Sequence, residues 1–242
     1  MTQPLRLLTW NTGRLYLPWL ERRRPSWTPK GSLPHIAAWL LRWRPHVVFL
    51  QEIPPDGTAK QLQALLGGAP WRAFITDMPS SDRQILTLTT LPQTTWQPIA
   101  TGTGRHAAAL TVHSNLHLVG CHACAHNPAR RLRYVQALTH WANTQPPDHT
   151  TALLGDFNID PLLSPHPDDR AAIKHLRAER FTHQPPIHQR HTFLNCLQLD
   201  HLHHRIGPGA PRRTFTTQVL PGTGGHGRDH APLWTTIAPA AD

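Results

Sequence analysis

Short apolar runs recur along the whole chain, separated by stripes of apolar residues with helical spacing. The runs at 5–10 (LRLLTW) and 46–51 (HVVFLQ) have the length and composition of buried strands. Pro34 opens a segment between them, at a position where a first helical turn tolerates proline. One face of that segment carries Ile36, Trp39, Leu40 and Trp43. The pattern predicts a strand, a helix and a second strand.

The same alternation continues to the end of the chain. Further strands are predicted at 85–90, 107–112, 116–121, 151–155, 192–200, 213–220 and 231–237. A helical stripe before the fourth of these consists of Leu132, Val135, Leu138 and Ala142, and a second helix is predicted from about Asp169 to Arg180. The segment 221–228 (PGTGGHGR) is rich in turn residues. Many strands with few helices predict two β-sheets that pack together and are covered by helices.

The chain shows no internal repeat, and its prolines are scattered rather than collected in a linker, so residues 1–242 are predicted to form one domain. No apolar stretch approaches the roughly 18 residues of a membrane span. Three cysteines leave one without a partner in any disulfide scheme, which suits a reducing compartment. Cys121 and Cys124 form a C-x-x-C, for which ordinary cysteines are favoured over a zinc site. We expect a cytoplasmic protein, monomeric and without a membrane span.

Polar residues with chemical potential stand at the edges of the apolar runs. They are Asn11, Glu52, His122, Asp156, Asn158, Asp200, Asp229 and His230. Strand ends on one edge of a layered β structure can converge on a single cleft. Carboxylates, amides and imidazoles in one cleft fit metal-assisted phosphoester hydrolysis, in which Glu52, Asp229 and the amide oxygen of Asn11 form a reasonable Mg²⁺ shell. A further carboxylate can orient and deprotonate the attacking water.

These segments also carry a family resemblance. TWN (9–11), LQEI (50–53), VGCHA (119–123), GDFNIDP (155–161), LDHL (199–202) and RDHAPL (228–233), in this order, resemble the endonuclease/exonuclease/phosphatase superfamily with the DNase I-like fold. The resemblance implies an α/β four-layer α/β/β/α sandwich, two mainly antiparallel sheets flanked by helices. It also implies a hydrolase that depends on Mg²⁺, for which Mn²⁺ could substitute.

The resemblance implies a role for each matched residue. Asn11 matches the asparagine that organises the metal site, and Glu52 matches the glutamate that binds the metal. His122 matches the histidine at the scissile phosphate. The remaining matches are Asp156 as the residue that positions or deprotonates water, Asn158 as its partner, Asp229 as the metal-facing aspartate, His230 as the phosphate-facing histidine, and Asp200 as the support of His230 or His122.

Several residues have alternative interpretations. Arg105 stands where related enzymes often place a phosphate-binding arginine, although a turn arginine on a basic surface would look the same. His201, His203 and His204 could form a metal-binding tract, but an alternating H-x-H strand more often presents its imidazoles to solvent, which is the reading we prefer. Gly13 replaces an additional acidic ligand of repair-type members. In GDFNIDP, Asp160 and Pro161 are predicted to shape the exit turn.

Charge bears on the substrate. Lys and Arg total 24 against 14 Asp and Glu, a formal net charge of +10. A polyanion such as nucleic acid is a plausible partner, although compositional bias could also produce this excess. A groove containing Arg22, Arg23, Arg24, Arg130, Arg131 and Arg133 would bind phosphates without reading sequence. The sequence therefore favours a Mg²⁺-dependent nuclease, against a phosphatase or phosphodiesterase for a small or lipid-linked ester and against a non-catalytic binding module.

Overall fold

The structure, a computed structural model, describes residues 3–13, 33–53, 57–68, 70–76, 84–187, 191–192, 197–220 and 230–240. The helices in this part of the chain are α1 (Leu33–Trp43), α2 (Thr58–Leu65), α3 (Pro128–Asn143) and α4 (Pro167–Ala178). The strands are β1 (Leu5–Asn11), β2 (Val47–Ile53), β3 (Arg72–Ile75), β4 (Gln84–Thr89), β5 (Thr94–Ala100), β6 (His106–Val112), β7 (Leu116–His122), β8 (Thr150–Asp156), β9 (Thr182–Gln184), β10 (Asp200–Ile206), β11 (Arg213–Val219) and β12 (Leu233–Pro239).

These strands form two mixed sheets of six strands each. The first sheet has the order β11-β12-β1-β2-β4-β3, and the second has the order β5-β6-β7-β8-β10-β9. Each sheet contains one parallel pair, β1 with β2 and β7 with β8. The carboxyl ends of a parallel pair lie side by side, which places Asn11 opposite Gln51 in the first sheet and His122 opposite Asp156 in the second.

Apolar side chains fill three layers. The two sheets face each other across a core that includes Leu7, Phe49, Leu118, Leu154 and Leu202. Helix α1 covers the outer face of the first sheet, and α3 with α4 covers the outer face of the second. A Cβ added at Gly120 would stand 2.3 Å from the Phe49 ring, so this glycine allows the two sheets to approach closely. The predicted four-layer sandwich is confirmed.

Of the strand predicted at 192–200, residues 193–196 lie outside the described residues, and in the described part β10 begins only at Asp200, so the prediction is wrong for residues 198 and 199. Ahead of β10, the Thr192 N–H donates to Leu197 O, and the Thr192 hydroxyl accepts the N–H groups of Leu199 and Asp200 at 3.0 Å each. The elements α2, β3, β5 and β9 were not predicted, and the turn-rich segment 221–228 lies outside the described residues.

Candidate active site

The candidate site lies where the carboxyl ends of both parallel strand pairs meet. Asn11 ends β1 in the first sheet and Asp156 ends β8 in the second. The Asn11 Nδ2 donates a hydrogen bond of 2.9 Å to Asp156 Oδ2, which joins the two sheets at this edge. The Asn11 Oδ1 accepts the Gly13 N–H at 3.0 Å, and this bond fixes the orientation of the amide.

Asp156 is the most heavily hydrogen-bonded side chain among the predicted catalytic residues described. The backbone N–H of Asn158 donates to Asp156 Oδ1 at 2.7 Å, and Asn158 Nδ2 donates to Asp156 Oδ2 at 3.0 Å. Asn158 also donates to the Ala123 carbonyl at 3.0 Å. Asn158 has a φ of 51°, a left-handed conformation that asparagine tolerates better than most residues. The turn therefore aims two donors at one carboxylate, which fixes its position.

Gly155, which precedes Asp156, has a φ of 136°, and an added Cβ would stand 2.3 Å from Cys121 O. Because that neighbour is backbone, it cannot move aside without disturbing the β7–β8 pair. The glycine of the GDFN motif is thus a steric requirement for bringing Asp156 beside His122.

Asp200 and His230 form a buried acid–imidazole pair. His230 Nδ1 lies 2.8 Å from Asp200 Oδ2, and His230 Nε2 lies 3.8 Å from Asp156 Oδ2. Asp200 is fully buried beside the ring. Its carboxylate oxygen accepts a hydrogen bond, and this fixes the tautomer in which His230 Nδ1 carries the proton. The resemblance allowed either His230 or His122 as the partner of Asp200. The structure places Asp200 against His230.

His122 lies on the other side of the site, between a cation and a carboxylate. The Arg105 guanidinium lies 2.7 and 2.8 Å from the two imidazole nitrogens, and His122 Nε2 lies 3.6 Å from Glu52 Oε1. Burial lowers the pKa of His122, and Arg105 acts in the same direction, against the opposing effects of Glu52 and Asp156. A neutral imidazole is the expected state, which suits a hydrogen-bond donor better than a proton-releasing acid.

Glu52 combines exposure with backbone strain. Its side chain is 23% exposed, and its Oε1 accepts from Asn11 Nδ2 at 3.4 Å. The strand pairing of β2 with β4 shifts register between Gln51 and Ile53, and the intervening Glu52 has a φ of 60°. A left-handed glutamate costs roughly 1–2 kcal/mol. Strain of this kind tends to persist at functional sites, where it re-aims a side chain.

Burial raises the pKa of the Asp156 carboxyl, and the negative charge of Asp200 acts in the same direction. The neighbouring imidazoles of His230 and His122 and the hydrogen bond from Asn11 oppose that rise. A raised carboxyl pKa brings this group closer to the range in which it can take a proton from water.

The described donors fit a hard divalent cation. Asp156, Asp200 and His230 each offer a ligand atom, and these atoms lie within 4.8 Å of one another. Asp156 is occupied by three donated hydrogen bonds, and His230 is tied to Asp200, so this trio is better suited to proton transfer than to holding an ion. The accessible carboxylate of Glu52 supplies oxygen donors of the kind that Mg²⁺ prefers, and Asn11 holds it in place through the amide Nδ2. Asp229 lies outside the described residues.

Two supporting residues were not identified from the sequence. The buried hydroxyl of Tyr134 on α3 accepts the His122 N–H at 2.9 Å, and the Thr192 hydroxyl holds the Asp200 N–H. Tyr134 adjoins the apolar stripe of α3, where its hydroxyl could have indicated a polar partner. Asp160 accepts three backbone N–H groups, from Leu162, Leu163 and Gln198, so its predicted turn-shaping role is confirmed.

Two surface predictions are wrong. Arg131 was placed in a phosphate-binding groove, but it is buried and ion-paired with Asp169 at 2.7 Å. His201 and His203 were expected to face solvent, but they are 1% and 2% exposed, and their rings pack against Phe157 and His183. Arg130 and Arg133 are exposed on α3, and residues 22–24 lie outside the described residues.

Comparison with known proteins identifies the family of the chain. The model of the Endonuclease/Exonuclease/phosphatase family matches residues 8–235. No curated protein matches the chain. None of the helices in the described residues is long and apolar enough to cross a membrane.

Solved structures of low sequence identity share the fold. D. rerio TDP2 complexed with single strand DNA product is 16% identical, with 98% of this chain and 99% of that chain covered at a TM-score of 0.67. The human Nocturnin catalytic domain with bound sulfate anion is 16% identical, with 98% and 95% covered at 0.65. The Bacteroides thetaiotaomicron mannosyl-6-phosphatase is 12% identical, with 97% and 99% covered at 0.69.

Fold and site together define a hydrolase of phosphoester bonds. The chain belongs to the endonuclease/exonuclease/phosphatase family.

Proposed function

We propose that this protein is a Mg²⁺-dependent phosphodiesterase that cleaves nucleic acid by attack of water on phosphorus. The observation that carries the proposal is the single hydrogen-bonded constellation formed across the two sheets. Asn11 bridges Glu52 and Asp156 at 3.4 and 2.9 Å, while His230 lies 3.8 Å from Asp156. An accessible carboxylate, a buried base and an imidazole are thereby grouped around one cleft edge.

Asp156 is the proposed base. Its raised pKa and fixed position suit it to take one proton from water as the water oxygen forms a bond to phosphorus. The bond from phosphorus to the leaving oxygen breaks in the same displacement, and that oxygen takes up a proton from solvent water. Asn11 and Asn158 hold the carboxylate in place during this step, so no rearrangement of the base is needed.

The imidazoles and Arg105 are proposed to stabilise the phosphate. His230, with Nδ1 held by Asp200, directs Nε2 into the site towards the phosphoryl oxygens. Neutral His122 donates a hydrogen bond on the opposite side, and the Arg105 charge next to it attracts the same anion. Water exclusion by the buried walls strengthens each of these interactions.

A divalent ion would be held by the carboxylates of Glu52 and Asp229, with Asn11 orienting Glu52 through its amide Nδ2. When bound, it supplies Lewis-acid neutralisation of the charge that develops on the phosphoryl oxygens. Mg²⁺ is proposed because the donors are hard oxygens, and Mn²⁺ accepts the same set.

The choice of nucleic acid rests on charge and relatives. The net charge of +10 favours a polyanion over a small ester. Among structures of the same fold, D. rerio TDP2 was solved with single strand DNA product. The mannosyl-6-phosphatase shows that this fold also serves phosphomonoesters, which makes a phosphatase the second candidate.

The test is a substrate panel. Protein with Mg²⁺ is incubated with plasmid, single-stranded DNA, RNA and a set of phosphomonoesters, and each reaction is repeated with EDTA and with Asp156→Asn. We expect cleavage of nucleic acid that both EDTA and the substitution abolish. Hydrolysis confined to the monoesters would replace the nuclease by the phosphatase, and cleavage that survives EDTA would refute the metal-dependent mechanism.

A further inference from the structure

A second cluster of metal-binding side chains lies behind the candidate active site. His201 and His203 share one face of β10, and His183 on the edge strand β9 lies directly opposite His203 in the antiparallel pair. One ring nitrogen from each of the three lies within 4.8 Å of the others. Their imidazole rings also contact one another, with centroids 4.9 to 5.8 Å apart.

The spacing of one nitrogen pair in this cluster suits a tetrahedral ion. His183 Nε2 lies 3.1 Å from His201 Nδ1. Two imidazole nitrogens on one tetrahedral Zn²⁺, each about 2.0–2.1 Å from the metal, are separated by roughly 3.3 Å. The observed pair therefore requires only a small outward movement to accept an ion between its lone pairs.

The orientation of His201 follows the pattern of a metal ligand. Its Nε2 lies 2.8 Å from the Ile159 carbonyl, to which it donates a hydrogen bond. This bond leaves Nδ1 without a proton, with its lone pair facing His183. Histidine ligands in metalloproteins almost always donate their second ring N–H to a carbonyl or carboxylate in this way.

His203 supplies an independent observation. The side chain is 2% exposed, and its Nε2 has no hydrogen-bond partner among the described residues. A buried polar nitrogen left unsatisfied costs about 1–3 kcal/mol. Aromatic contact with Phe157, at a centroid distance of 5.2 Å, packs the ring but satisfies neither nitrogen. An ion at the cluster would remove this cost.

Burial favours the neutral form of these imidazoles, which is the form that binds a metal ion. Burial lowers the pKa of His201 to about 4 and, with the proximity of His201, lowers that of His183 to about 4. Asp160 is the anion whose charge reaches His201, while Arg177 is a cation whose charge reaches His183 and His203. His183 is only half-buried on the edge strand, so an ion can enter from solvent there.

We propose that His183, His201 and His203 bind one Zn²⁺-class transition-metal ion in a structural site separate from the catalytic metal. Three imidazoles favour Zn²⁺ and its neighbours, whereas the oxygen donors at Glu52 favour Mg²⁺, so the two sites select different ions. The site joins β9 to β10 and lies against the loop that follows Asp156. Through Phe157 and the Ile159 carbonyl, the ion would stiffen the turn that holds the catalytic carboxylate.

The test measures zinc binding in a background whose catalytic site is disabled. Glu52→Gln with Asp156→Asn is stripped with a chelator, loaded with Zn²⁺, desalted and analysed for metal by mass spectrometry. We expect about one equivalent of retained zinc. Adding His183→Gln should weaken zinc binding by more than about 10²-fold, since even second-shell losses cost 10- to 100-fold. Co²⁺ loading should give the visible absorption of a tetrahedral site, lost in the same variant.

His204→Gln is the matched control. This histidine belongs to the same strand, but its ring stacks on Phe215 at 4.0 Å, away from the cluster. The His204→Gln variant should keep the zinc and the Co²⁺ spectrum. Circular dichroism of the His183→Gln variant checks that its loss of metal is not caused by unfolding. Equal zinc retention with and without His183→Gln would show a hydrogen-bonded histidine pair only. Because the readout is metal content in a catalytically disabled protein, it is independent of the proposed nuclease activity.

Discussion

Two polar clusters meet on strand β10, and they differ in chemistry although neighbouring residues supply them. Asp200 faces the active site and pairs with His230 at 2.8 Å, whereas His201 faces the opposite side and lies 3.1 Å from His183. The first cluster draws carboxylate, amide and imidazole groups from both sheets. The second contains imidazoles from two strands of one sheet. Because successive side chains of a strand point to opposite faces, one strand can serve two sites with different metal preferences.

The two clusters accommodate buried polar groups in different ways. In the candidate active site, hydrogen bonds from Asn11 and Asn158 compensate the cost of burying the Asp156 carboxylate. In the histidine cluster, burial keeps the rings neutral, so no buried charge needs to be compensated. Loss of one group should therefore affect chemistry in the first cluster and metal retention or stability in the second.

The largest effect is expected from Asp156→Asn. The amide keeps the shape of the carboxylate but cannot take a proton from water. General-base catalysis contributes about 10²–10⁴-fold, so kcat/KM on the best substrate should fall by about 10³-fold. The measurement is initial rate under Mg²⁺ saturation. Zinc content at the histidine cluster should not change, and wild-type activity in this variant would exclude Asp156 as the base.

Glu52→Gln should act through the metal. The substitution removes the charge of the accessible carboxylate without changing its size. We expect a loss of roughly 2–3 kcal/mol of transition-state stabilisation, about 10²-fold in rate, when Mg²⁺ is held at the wild-type half-saturating concentration. Raising Mg²⁺ or Mn²⁺ should restore part of that rate. A fall in rate that no metal concentration changes would place Glu52 outside the metal shell.

The candidate site residues could be predicted from the sequence because the signal that marks them is local. The motifs TWN, LQEI, GDFN and DHAP put polar groups directly after apolar strands, so strand ends and candidate residues could be located together. The family resemblance supplied the layer order. Its matched residues that the structure describes do lie within hydrogen-bonding or ion-pairing reach of one another.

Long-range pairing could not be obtained in the same way. Whether Asp200 meets His230 or His122 depends on which strands are neighbours, and a period-2 pattern leaves the order of strands open. The H-x-H of β10 was assigned to solvent because periodicity shows that two residues share a face but not what covers it. The cover includes Phe157 and the edge-strand His183, which are distant from β10 in the sequence and meet it only in the folded chain.

Asp200→Asn should have an intermediate effect. The substitution removes the negative charge that holds His230 Nδ1 as a donor, and hydrogen bonds to charged groups contribute about 1.5–3 kcal/mol. We expect kcat to fall by about 10–10²-fold, with a change in the pH–rate profile, since His230 loses its orienting partner. The substrate KM should change less than kcat. An unaltered pH profile with normal kcat would leave Asp200 a purely structural residue.

The smallest effect is expected at a separate pair of histidines, His117 and His149. His117 lies 2.9 Å from His149 and 3.0 Å from the Thr111 hydroxyl, and burial, with the charge of His149, lowers the pKa of His117 from 6.5 to about 4. The folded state thus favours the neutral ring, while the unfolded chain binds a proton below pH 6.5. The contribution of His117 to the free energy of unfolding is therefore complete above pH 6.5 and is lost progressively as the pH falls towards 4.

Acidification from pH 7.5 to 5 should therefore lower Tm, by about 2–4 °C for each kcal/mol lost in a chain of this size. His117→Gln should flatten that dependence while leaving zinc content unchanged, because a pair of imidazoles lacks the third ligand that His183, His201 and His203 provide together. The measurement is thermal unfolding of metal-free protein across this pH range, compared with the variant. An identical pH slope in both proteins would show that His117 titrates alike in the folded and unfolded states.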